Sequence, residues 1–104
     1  MENSKLAFAA RPPYIRRLPM DETRLNRIRF RAWRRGFREA DLILGPFSDR
    51  HARSMTEEQL SRFEVLLDQD DHDLYAWILC EAETPAEFEH DVMACLRAFT
   101  PGAA

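Results

Sequence analysis

Arg34-Arg35-Gly36-Phe37-Arg38-Glu39-Ala40-Asp41 puts three arginines, two carboxylates and one of the chain's three glycines into eight residues, between two runs that each read as a helix. A glycine after a periodic run ends helices, because it reaches positive φ without a Cβ clash, so Gly36 predicts a corner. Arg35 then falls in the last turn of one helix and Glu39 in the first turn of the next, each complementing the local dipole. Were one helix to run through, the two would form an i,i+4 pair in the weaker order, worth about 0.2–0.5 kcal/mol. On either reading the pair contributes little to stability and stays available to a partner. A solvated, charged corner is the plain alternative, since charge runs usually face water.

Outward from this corner the pattern is helical on both sides. Upstream, the spacing predicts a first helix over Asp21–Arg35, opened by Asp21 and Glu22. Leu25, Ile28 and Ala32 form its apolar stripe, broadened by Phe30 and Trp33, and Arg24, Arg27, Arg31 and Arg34 line another face. Downstream, a second helix is predicted over Phe37–Arg53 with Leu42, Ile43, Leu44 and Phe47 inward and a weak point at Gly45-Pro46. Thr56-Glu57-Glu58-Gln59 reads as a capping box opening a third helix that ends near Asp68 and buries Leu60, Phe63, Leu66 and Leu67. A short fourth helix over Asp73–Cys80 follows an aspartate cap and, being apolar nearly all round, should be largely buried. Thr84-Pro85-Ala86-Glu87 reads as another capping box, opening a last helix that carries Phe88, Val92, Cys95, Leu96 and Phe99 and stops at Pro101-Gly102. The sum is a single all-α bundle of about five helices spanning residues 21–100, with a flexible tail over 1–20 and a short one over 101–104.

Composition excludes several classes. Hydrophobic residues at 45% and charged ones at 32% fit a soluble globular domain. No apolar run approaches the roughly 20 residues that span a bilayer. The net charge of −3 hides a division: residues 1–53 carry 13 Lys/Arg against 6 Asp/Glu, a net +7, and residues 54–104 carry 2 against 12, a net −10. Such a basic half either steers toward nucleic acid, acidic lipid or an acidic protein face, or docks on the chain's own acidic half. Cys80 and Cys95 lie in apolar helical runs and read as buried reduced thiols, with no further ligands for a zinc set. His51, His72 and His90 are scattered and suggest no metal or catalytic role. Asp68-Gln69-Asp70-Asp71-His72-Asp73 lacks the glycine and glutamate of a calcium loop, since those positions hold Asp73 and Leu79. No serine or cysteine stands in a nucleophile motif, and no glycine-rich dinucleotide loop follows a strand.

Arg35-Gly36-Phe37-Arg38-Glu39 is an Arg-Gly-x-x-Glu signature and resembles that of the succinate dehydrogenase assembly factor, or flavinator, family. The likeness extends upstream through Arg27-Ile28-Arg29-Phe30 and downstream through Asp41, Leu42, Ile43, Leu44 and Phe47. It continues into Leu66-Leu67 and the acidic turn Asp70-Asp71 with Asp73-Leu74-Tyr75 and Trp77, and so covers Leu25 to Phe99. Phe37 stands where the family often has methionine, and His72 where a proline is common. The resemblance implies an all-helical chaperone-like assembly factor, not an enzyme, with no cofactor of its own. It would bind the flavoprotein subunit of succinate dehydrogenase, and by extension of fumarate reductase, and promote covalent attachment of FAD. Arg35 and Glu39 would make charge-assisted contacts to that partner, Gly36 would permit close backbone approach, and Arg27, Arg34 and Asp41 would flank the contact.

The alternative from another class is a small nucleic-acid-binding helical module built on the arginine face. Against it stand the acidic second half and the absence of a recognisable nucleic-acid motif. The short tail points to a bacterial cytoplasm, with the mitochondrial matrix as the alternative.

Overall fold

The computed structural model describes residues 22–99, and the predicted tails, the opening at Asp21 and the stop at Pro101-Gly102 lie outside them. Five α-helices are present: α1 (Glu22–Ala32), α2 (Arg38–His51), α3 (Glu57–Leu67), α4 (Asp71–Ile78) and α5 (Asp91–Phe99). Short 3-10 turns, Ala52–Ser54 and Ala86–Phe88, follow α2 and precede α5. No strand occurs among the described residues.

Each helix buries the stripe its spacing dictates. Leu25, Ile28 and Ala32 of α1 face Leu44 and Phe47 of α2 and Leu60, Phe63, Leu66 and Leu67 of α3 in one core cluster, closed by Leu74, Ile78, Val92 and Leu96. The Phe47 ring stands edge-on to Phe63 at 5.4 Å and to Phe99 at 5.5 Å, joining α2, α3 and α5 at the centre. Phe30 and Leu42, expected to face inward, are instead more than half exposed.

Local chemistry explains where helices start and stop. At α3 the Thr56 hydroxyl accepts from Gln59 N at 3.1 Å while Gln59 Oε1 accepts from Thr56 N at 2.9 Å, the reciprocal box the sequence predicts. At α4 the Asp70 carboxylate accepts from the amides of His72 and Asp73. The predicted break at Pro46 does not occur. The carbonyl left without its helical donor belongs to Leu42, on the exposed side, and α2 runs unbroken to His51.

Three expectations are corrected. First, α4 is buried on one side only: Leu74 and Ile78 are in the core, whereas Tyr75 and Trp77 are half-buried. Second, Cys80 is exposed, and only Cys95 is buried. Cys80 takes φ +60° as the left-handed residue that ends α4, with its amide donating to Trp77 O and that of Glu81 to Ala76 O. Third, the Thr84 box does not form. The Thr84 hydroxyl accepts from Arg97 Nη2 at 2.8 Å, Phe88 turns to stack on Trp77 at 5.1 Å, and α5 starts only at Asp91, with His90 Nδ1 accepting from Met93 N.

Candidate functional site

The corner between α1 and α2 is built by tightening and then reversing the chain. After Ala32, Trp33 N still donates to Arg29 O and Arg34 N to Arg31 O, the shorter step of a helix that is ending. Gly36 then takes φ +146°, a backbone region that side-chain-bearing residues rarely adopt, and α2 begins at Arg38. Arg35 N donates to Asp41 Oδ1 at 2.6 Å, so the first turn of α2 reaches back to fix the corner.

The Arg35 side chain turns inward. It is only 6% exposed; Nη1 donates to Leu67 O at 2.9 Å, Nη2 donates to Gln69 O at 3.1 Å, and the same Nη2 pairs with Asp71 Oδ1 at 2.7 Å. These bonds satisfy carbonyls at the C-terminal end of α3, where backbone acceptors are in surplus. Gly36 is tied to the same cluster, because a Cβ at position 36 would collide with Asp71 Oδ2. The close backbone approach expected at Gly36 is thus made within the chain, by Asp71. One residue on, the Phe37 ring stacks on His72, centroids 4.4 Å apart and 4° from parallel, with Tyr75 edge-on at 5.1 Å. Phe37 and His72, two positions far apart in sequence, therefore touch each other.

The predicted site residues divide accordingly. The reading of Arg35 as a side chain left free for a partner is corrected: it is consumed by the fold. Asp41, expected to flank the contact, is half-buried and accepts from the Arg35 amide through Oδ1. Glu39 is exposed and has no hydrogen bond or ion pair among the described residues. Gly36, Arg27 and Arg34 are exposed too, and the Arg34 guanidinium lies over the Phe30 ring at 4.4 Å. Trp33, Arg34, Gly36, Phe37 and Arg38 line a shallow, open depression at the corner. Asp71 and the Phe37-His72-Tyr75 group were not assigned from spacing. The signal for them was the likeness over the acidic turn Asp70-Asp71, which sits about 35 residues away in sequence from Arg35.

The arginine face of α1 is largely turned onto the acidic half of the chain. Arg24 donates to Glu57 at 2.7 Å and to Glu64 at 2.8 Å, both on α3, and these carboxylates raise its pKa above the usual guanidinium value. Arg31 pairs with Asp68 at the end of α3. With Arg35, these are the arginines of the basic half that pair with the acidic half, and Arg27, Arg34, Arg38 and Arg50 remain without an ion pair among the described residues. No group of three or more His, Cys, Asp or Glu among those residues could hold a metal ion, and no helix there is long and apolar enough to cross a membrane.

Fold and site together define a small all-helical domain whose most charged feature is an interhelical corner held from within and edged by an unpaired carboxylate. The family described as flavinator of succinate dehydrogenase matches residues 26–100, and the chain belongs to that family. Among its relatives, succinate dehydrogenase assembly factor 2, mitochondrial, of Dictyostelium discoideum is 40% identical over 68 residues, 65% of this chain and 48% of that protein. Assembly factor 2-A, mitochondrial, of Drosophila erecta is 31% identical over 78 residues, 73% of this chain and 48% of that protein. The Candida glabrata assembly factor 2 is 40% identical over 52 residues, 50% of this chain and 34% of that protein. The match spans about half or less of the length of these relatives. Their names also correct the expected location: these relatives are eukaryotic proteins named mitochondrial, which overturns the bacterial cytoplasm read from the tail.

Proposed function

We propose that this chain binds the flavoprotein subunit of succinate dehydrogenase and promotes covalent attachment of FAD to it, without a cofactor or catalytic residue of its own. Family membership over residues 26–100 carries the reading. The corner supports it, because it holds an exposed carboxylate with no partner among the described residues at the first turn of α2, beside Gly36, Arg34 and Arg38. A carboxylate left free at the surface in this way is available for charge-assisted hydrogen bonds to donors of another protein.

In the partner, the 8α-methyl carbon of the flavin would lose a proton and bond the histidine nitrogen, which gives up its own N–H proton, and the electron pair released would stay on the flavin ring as reduced flavin, so negative charge would build up there. Alignment and fixed donors around that ring lower the barrier. A protein that binds best to the aligned conformation of the flavoprotein raises the population of that conformation and so the rate. The mitochondrial names of the relatives favour the matrix as the place where this occurs.

The test is capture of the flavoprotein subunit by the tagged chain at low salt, followed by in-gel flavin fluorescence of that subunit from cells with and without the chain. Complex formation together with chain-dependent covalent flavin supports the reading. Equal fluorescence in both strains overturns it. The helical nucleic-acid module would instead show steeply salt-dependent binding to nucleic acid and none to the flavoprotein.

A further inference from the structure

We infer that Asp71, at the start of α4, is a positioning residue: acting through Arg35 and Gly36, it sets the direction in which α2 leaves the corner and hence where Glu39 stands. This rests on the function proposed above, in which Glu39 faces the partner.

The Asp71 carboxylate uses both oxygens. Oδ1 receives Arg35 Nη2 at 2.7 Å, and Oδ2 occupies the space over Gly36 that a side chain would need. Arg35 also grips Leu67 O and Gln69 O, so the guanidinium joins the end of α3, the start of α4 and the corner at one point. The neighbouring residues repeat the connection, with Phe37 stacked on His72. Elsewhere α2 and α4 pack against α5 more than against one another. These corner contacts are therefore the direct link between the first turn of α2 and α4. Glu39 lies three residues beyond Gly36, on a helix whose starting direction is set there. Loss of the Asp71 carboxylate leaves a buried guanidinium without its counter-charge and removes the neighbour that fills the space at Gly36.

Hydrogen exchange of the full chain tests this without any partner. Asp71→Ala should raise exchange of the hydrogen-bonded corner amides, those of Arg35 and Asp41, by about tenfold or more while α3 and α5 keep their protection. Asp71→Asn, which keeps an acceptor for Arg35 and the volume over Gly36 but not the charge, should raise it by a smaller amount that stays above wild type. Unchanged exchange at the corner, or an equal rise throughout α5, overturns the inference. If Asp71→Ala does not fold, Asp71→Asn decides: a smaller rise confined to the corner supports the inference, and wild-type exchange there overturns it. A second arm measures affinity for the flavoprotein subunit. Asp71→Ala should weaken binding about tenfold alone and by less than about twofold in a Glu39→Ala background, whereas additive losses overturn the inference. A wild-type chain with no affinity for the flavoprotein overturns the proposed function, and the exchange arm keeps that failure distinct.

Discussion

Asp71 Oδ2 lies within collision distance of the place a Cβ on residue 36 would take, so any larger residue at the corner must displace the carboxylate. The glycine of the Arg-Gly-x-x-Glu signature thus meets two demands at once: a φ of +146° and an ion pair pressed against its Cα. Both demands are internal to the fold. A change at Gly36 acts first on folding and only then on a partner.

Gly36→Ala is therefore expected to destabilise the domain. The backbone conformation alone costs a residue with a side chain on the order of 1–3 kcal/mol, and displacement of Asp71 adds to it. Urea unfolding followed by circular dichroism measures the loss. A midpoint within error of wild type would show that the corner relaxes freely.

Glu39→Ala separates binding from stability. The side chain is exposed and unpaired among the described residues, and its remaining contribution is a favourable charge in the first turn of α2, about 0.3–1 kcal/mol. The unfolding midpoint should move little, while capture of the flavoprotein and its covalent flavin should fall. A variant with wild-type flavinylation would remove Glu39 from the proposed contact.

What was legible from sequence was local. The Thr56–Gln59 box and the Gly36 corner depend on residues within a few positions and appear where spacing puts them, whereas the aspartate cap expected before Asp73 is supplied by Asp70, and α4 opens two residues early, at Asp71. Arg35 was misread because its partners, Leu67, Gln69 and Asp71, lie more than thirty residues away, and no periodicity encodes that meeting. Thr84 failed for the same reason: a valid local box lost its hydroxyl to Arg97, which also donates to Trp77 O and so ties the loop to α5. Cys80 looked like a core thiol by its neighbours, but the end of α4 required a left-handed residue and carried it outward.

Gly45→Ala poses two opposed effects within a helix. Alanine favours helix by about 1 kcal/mol over glycine. Its methyl, however, would enter the Trp33 indole, which lies across Gly45 with Nε1 donating to Asp49 Oδ2 at 3.3 Å. Overpacking costs typically about 1–3 kcal/mol, so net destabilisation with a changed Trp33 emission is expected. A stabilised variant would show that the indole swings aside and that α1 does not depend on this seat.

Acid should weaken the fold in two steps. His51 packs against Phe47 at 4.9 Å and Phe99 at 5.8 Å, and burial, aided by the neighbouring Arg50, holds its pKa below the ordinary 6.5. Burial does the same to His90, with Arg62 acting in that direction and Asp91 and Glu89 against it. The folded state therefore favours neutral rings. This contribution is fully present above the unfolded value and is lost as pH falls from there through the lower folded value, because the unfolded chain takes up protons more readily in that range. At lower pH the second step begins, since hydrogen bonds from Arg53 and Arg97 hold Glu22 and Glu89 below 4.5, and their contribution disappears on protonation. Urea midpoints taken from about pH 7.5 down to about pH 5 should decline for wild type. The decline should be shallower for a His51→Gln/His90→Asn double variant, in which the amide side chain introduced in place of His90 keeps an acceptor for the Met93 N–H. Parallel curves for the two proteins would assign the acid sensitivity to the carboxylates alone.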